Sequence, residues 1–478
     1  MTSPLRARGP SLFLFVANTS RYRSRRHTAA RLEPLPAASR APLYRRLPWL
    51  AIGTTLVVLL AAWFAEAPIR DAVTLGPITE AHLELSVGYL AIAPFSDVLD
   101  TLSLLGVRQH IAVVISAIVI YILVRIWRNR RERGETGEIS APGVEQARRL
   151  PRAGRESGYS ALFLLAIVAT YAVVAVMPRP MAALGSELSD VILSADFHSH
   201  TRYSHDGRPG WDPADVRAWH RAAGFDVAFI SDHRTVQGAE LGIADNPPEA
   251  GQGTTLLQAL EVVWRGERVN ILGAGRTYKG LTTPDLRDVD EQAIALASLL
   301  PAREPMVIET LPGNLSKIPF PHGPRTPGVR AIELVDGSPL GLDQTRILRS
   351  RIVHLADSLN LALVAGTDNH GWGRAVPGWT LLAIPGWRGM GSDSLAFAIE
   401  RALRVGRTAT KIVERRIAGE LNGGNALELT LSLPIVVWRM FTTLSFDERV
   451  MWIIWVWAFY VVTRLTVSWR RRRQLRGA

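Results

Sequence analysis

The chain predicts an α/β fold built on a parallel sheet, open or closed into a barrel, carried by about four membrane-spanning helices. Three observations predict it. Four apolar runs are each close to the ~20 residues that cross a bilayer core. Arginine clusters stand at the ends of those runs. Between the third and fourth runs, short apolar segments alternate with amphipathic ones, as a strand–helix repeat requires.

The 478 residues allow two or three domains, and 47% of them are apolar. There is no cysteine, which excludes disulfides, thiolate metal sites and a cysteine nucleophile, so any metal must be held by nitrogen and oxygen. The net charge of +12 is uneven. Residues 1–46 carry +9, residues 125–156 carry +4 and the tail from 470 carries +5, leaving the remainder at about −6. The high pI therefore reflects membrane orientation, and no nucleic-acid partner is expected.

Taken in order, residues 1–46 read as a disordered, basic, cytoplasmic arm. A membrane region over 47–177 holds three spans, at about 47–65, 110–127 and 159–177. Residues 83–106 contain Pro94 and read as an interfacial or packed segment, because a fifth span would put the arginine-rich 128–158 loop outside. A connecting segment (416–449) leads to the last span, about 450–469, and a basic tail, 470–478. With the arm, the loop and the tail all inside, both termini of this integral membrane protein are expected to be cytoplasmic, in a bacterial-type cell membrane. The 190–415 domain is expected outside.

That domain carries the chemistry. "VILSADFHSH", "FDVAFISDH", "TTLLQALEVVW", "RVNILGAG", "REPMVIETLPG", "VRAIELVDG" and "LALVAGTDNH" read as strands, with polar residues at their C-terminal ends, the edge where α/β folds collect ligands. "PADVRAWHRAAG", "DEQAIALASLL" and "TRILRSRIVHLADSLN" read as helices. On a strand, the two-residue spacing of His198 and His200 points both rings to one face, toward one ion. Asp206 and His205 follow in a turn, Asp232 and His233 end a second strand, Glu261 sits in a third, and Asp368 and His370 end a late one.

These residues resemble the motifs of the PHP family, named for polymerase and histidinol phosphatase, over about 192–410. "HSHTRYSHDG", "SDH", "ALE" and "GTDNH" stand in the family's order. The resemblance implies a distorted seven-stranded β/α barrel with a two- or three-metal site for phosphoester hydrolysis. It assigns His198, His200, Glu261 and Asp368 to one group of ligands, and Asp206, His233 and His370 to the others, with His205 the rival of Asp206. The chain departs from the family at Asn270 and Leu311, where many members have histidine; His322 is a substitute to consider.

Oxygen and imidazole donors suit manganese, iron or zinc. His233, His370 and Asp206 are the expected catalytic groups, with a histidine protonating the leaving oxygen. Arg202, Arg234 and Arg374, beside the motifs, are expected to bind phosphate. The expected function is a membrane-anchored metal-dependent phosphoesterase acting on a phosphorylated small molecule or lipid headgroup. Two other readings compete: a non-catalytic sensor of a metal or ligand, and a metal-dependent hydrolase of a non-phosphate bond.

Overall fold

The computed structural model describes residues 48–135, 142–233, 235–264, 267–273, 306–310, 314–316, 318, 328–415 and 425–476. The basic arm 1–46, the expected helix "DEQAIALASLL", and Arg234, Leu311 and His322 lie outside the described residues.

Twelve strands are described: β1 (Ile69–Asp71), β2 (His82–Leu85), β3 (Ala182–Gly185), β4 (Ile192–Ser199), β5 (Val227–Ile230), β6 (Thr255–Trp264), β7 (Glu267–Leu272), β8 (Met306–Glu309), β9 (Val329–Asp336), β10 (Ala362–Gly366), β11 (Gly378–Ala383) and β12 (Thr410–Arg415). Ten form one curled sheet in the order β1-β12-β11-β4-β5-β6-β7-β8-β9-β10, and β2 pairs with β3 apart from it. The seven strands expected are therefore corrected to ten, because β11, β12 and β1 extend the sheet beyond β4. An all-parallel sheet is also corrected. β6–β7, β7–β8, β11–β4 and β11–β12 are antiparallel.

The curl brings the two sides of the sheet together. The N–H of Asp368, just past β10, donates to the His198 carbonyl at 2.8 Å, and the His200 N–H donates to the Asn369 carbonyl at 3.0 Å. Leu193, Ala195, Phe197, Phe229, Ala259, Ile308, Ala331 and Val364 fill the inner layer. Helix Ser392–Leu403 packs Leu395, Ile399 and Leu403 onto it. Its apolar spacing supplies the one apolar stripe this requires.

Below the sheet lie long apolar helices. Val107–Arg131, Gly154–Val176 and Phe446–Gln474 are long and apolar enough to cross a membrane. The first expected span forms the helix Trp49–Trp63, whose 15 residues reach about 22 Å, short of a bilayer core. Within the connecting segment, helix Ala426–Thr443 packs along the 107–131 helix, where the Ser116 hydroxyl donates to the Thr430 carbonyl at 2.6 Å. Arg125 pairs with Glu156 on the neighbouring helix at 2.9 Å. Residues 83–106 form β2 and the short helices Val87–Ala91 and Ala93–Ser103, a packed segment.

Candidate metal centre

A β-bulge aims the first ligands. β4 pairs with β5 as Ala195↔Val227 and Asp196↔Ala228, then slips so that Ser199 faces Ile230. One extra residue in β4 reverses which face each later side chain occupies. Before the bulge, Ala195 and Phe197 point inward; after it, His198 and His200 do. Both rings are buried.

Around them the strand ends converge. Nε2 of His198 lies 3.0 Å from Glu261 Oε2 and 3.3 Å from Asp368 Oδ1. Nε2 of His200 lies 3.2 Å from each of the same two oxygens. His233 Nε2 reaches Glu261 Oε2 at 3.3 Å and Asp206 Oδ2 at 3.5 Å. His370 Nε2 meets Asp206 Oδ2 at 3.1 Å. All seven expected metal ligands thus meet in one place. His200, Asp206, His233 and His370 form one group of donor atoms within 4.8 Å of one another, and His198, His200 and Glu261 form a second. His205 stays at the surface, its side chain 60% exposed, so Asp206 rather than His205 enters the cluster.

These donors fit a cation. Neither ring nitrogen of the buried His200 has a hydrogen-bond partner. Although Nε2 is 3.2 Å from two carboxylate oxygens, it is aligned to neither. A buried polar group left so costs stability unless something else satisfies it. Electrostatics agree: burial opposes charge on His200, but the Asp368 and Glu261 carboxylates prevail and push its pKa up to about 9. Burial likewise opposes ionisation of Asp368, and His198 with His200 holds it down to about 2. Asp368 adopts a left-handed backbone, φ 45°, uncommon outside glycine and held by its N–H bond to His198.

Of the expected phosphate-binding arginines, Arg202 and Arg374 are among the described residues. Arg202 pairs with Asp212 at 2.8 Å and lies over the Tyr203 ring. Arg374 is half-buried, and burial together with the Arg179 and Arg208 guanidiniums lowers its pKa. Arg208 is anchored beside the cluster, its N–H donating to the His370 carbonyl at 3.0 Å and its Nη1 to Gly371. The Asn270 amide nitrogen donates to the Phe197 carbonyl at 3.1 Å and braces β4, while its buried oxygen, across the strand pair from Glu261, has no hydrogen-bond partner.

No family model matches the chain, and neither does any curated protein. Solved structures do. One is a two-domain protein containing a predicted PHP-like metal-dependent phosphoesterase from Bacteroides vulgatus, at 15% identity over 46% of this chain and 64% of that one, TM-score 0.27. A lesion-specific endonuclease from Pyrococcus furiosus matches at 12% identity, covering 48% of this chain and 60% of that one, TM-score 0.32. PsfC from Pseudomonas syringae matches at 16% identity, covering 52% and 98%, TM-score 0.30.

Sequence reasoning passes over a supporting layer. Glu333, fully buried in β9, places both carboxylate oxygens 3.2 Å from His198 Nδ1, and Asp336 Oδ2 stands 3.8 Å from the same nitrogen. Asp196 accepts from His220 Nε2 at 2.7 Å and from the Thr367 hydroxyl at 2.5 Å, pinning β4 to the exit of β10. Asp232 accepts from the Thr201 N–H and hydroxyl, both at 2.6 Å, and holds the turn after β4. A lone acid inside an apolar run ("AIELVDG") was the available signal for Glu333.

Proposed function

We propose that the chain is a metal-dependent phosphoesterase, held to a membrane by its long apolar helices, with the centre outside the cytoplasm. The observation that carries this reading is the buried His200 ring, without a hydrogen bond at either nitrogen and with Nε2 3.2 Å from both Glu261 and Asp368. His198, His200, Glu261 and Asp368 would hold one divalent ion, and Asp206, His233 and His370 would hold another; manganese, iron or zinc suits these donors. Two such ions supply Lewis-acid polarisation of a phosphoryl oxygen and a low-pKa water.

The protein's own groups do the rest. Asp206 Oδ2 stands 3.5 Å from His233 Nε2 and 3.1 Å from His370 Nε2, close enough for all three to share one ion. His370, the most exposed of the four clustered histidines, would give a proton to the leaving oxygen only while its ring is not occupied as a ligand. Arg208 and Arg374 supply positive charge beside it for a non-bridging oxygen. A phosphorylated small molecule or a lipid headgroup fits the acidic domain better than a polyanion. Nucleic acid contains the same bond, and belongs in the same assay.

The test uses the full chain purified in mild detergent. Metal analysis should find divalent metal in stoichiometric amount, and the manganese-supplemented protein should hydrolyse a nitrophenyl phosphate mono- or diester. His198→Ala with His200→Ala should lose both properties. Turnover that survives the double change would remove these residues from the reaction.

A further inference from the structure

A second polar site lies behind the metal centre, where the sheet meets the long helices. It is a cavity of about 460 Å³. One wall is sheet and helix Arg346–Leu359: Arg70 of β1, Glu414 of β12, and Arg349. The facing wall is Arg439 and Thr442 of helix Ala426–Thr443, with Gln109 from the 107–131 helix. Charge is unbalanced here. Glu414 is shared by two guanidiniums, Arg70 and Arg349, the latter at 2.6 Å. Arg415, also in the lining, is already matched by Asp100 at 2.7 Å. Leu104, Val335 and Val353 make part of the lining apolar.

We infer that this cavity binds the phosphate group of an anionic membrane lipid. Guanidiniums present paired N–H groups that match phosphate oxygens, and a single negative charge relieves the excess over Glu414. The lipid source follows from position. Helix 107–131 begins, helix Ala426–Thr443 ends and helix 446–474 begins at this level, which is where headgroups lie if those helices span. The inference rests on the membrane reading above, not on the metal reading. Of the cavity lining, Asp336 is the contact with the histidine cluster, 3.8 Å from His198.

The full chain would be exchanged into nanodiscs of phosphatidylcholine, alone or with phosphatidylglycerol. Lipid retained on re-extraction would be counted by mass spectrometry, and thermal unfolding followed in parallel. The wild type should retain phosphatidylglycerol over phosphatidylcholine and unfold at higher temperature with it. Arg349→Gln should lower that retention about tenfold, the scale of one charged hydrogen bond, and Arg349→Lys should restore part of it. Equal retention of both lipids, or unchanged retention in Arg349→Gln, overturns the site. Stabilisation by millimolar inorganic phosphate equal to that by phosphatidylglycerol overturns the lipid source. Metal content and nitrophenyl phosphate turnover, measured on the same preparations, should be unchanged in Arg349→Gln; their failure in the wild type would count against the phosphoesterase alone.

Discussion

His198 shows how one side chain is held from two directions. Its Nε2 faces Glu261 and Asp368, and its Nδ1 faces Glu333. A carboxylate behind a ligating histidine fixes the ring and raises its basicity. Glu333→Gln keeps the shape and removes the ionisable acid. It should weaken metal binding about 10–100-fold, read by titrating manganese or zinc into the full chain; unchanged affinity would reduce Glu333 to a packing residue. The ligand types themselves were legible, because histidine and acid at two-residue spacing leave few alternatives. Glu333 was not, since its role depends on a partner 135 positions away. Proximity in sequence to the motif likewise did not show that the Arg202 side chain pairs with Asp212.

Among the elements, β4 and β10 decide the geometry. The seam between them is tight: a Cβ on Gly366 would stand 1.9 Å from Glu333 Oε1 and 2.5 Å from His198 Cβ. Gly366→Ala must push these strands or side chains apart, at a cost of about 1–3 kcal/mol, and should lower both the unfolding temperature and metal affinity. A variant as stable as the wild type would mean that the seam is looser than its distances. The strands of the sheet's inner layer could be read from alternation and apolar runs. The bulge could not. A one-residue slip leaves composition untouched while reversing which face points inward, and the added strands β11, β12 and β1 come from segments without ligand motifs.

Over the whole molecule, residues Trp49–Ala478 form one compact unit, and buried polar groups tie its helices to its sheet. Asp100 binds Arg179 at 2.8 Å and Arg415 at 2.7 Å, and Tyr89 donates to Asp97 and Asp100. Burial, with the nearby Glu448 carboxylate, pushes Asp97 up to about 9. An acid raised in the folded state keeps its proton while the unfolded chain loses it, so the contribution of Asp97 is full below about pH 4 and is lost as pH rises toward 9. Asp97→Asn should flatten that slope, measured by thermal unfolding in detergent at pH 5 and pH 8; parallel slopes in both proteins would show that another group carries it. The orientation has a separate test. The chain has no cysteine, and Ile347 is 68% exposed. In intact cells, Ile347→Cys should react with a membrane-impermeant maleimide. Labelling only after lysis would place the metal centre in the cytoplasm.

Local order alone carried the kinds of ligand, their two-residue spacing, the strand–helix alternation and the apolar helices, because each follows from periodicities of a few residues. Contacts between distant segments decided the rest. The return of β10 to β4, the inward turn of His198 and His200, the Glu333 brace and the arginine-lined cavity each join residues far apart in the chain. No local pattern encodes which of many compatible strand ends will meet. Packing selects among them, and only the folded chain shows the choice.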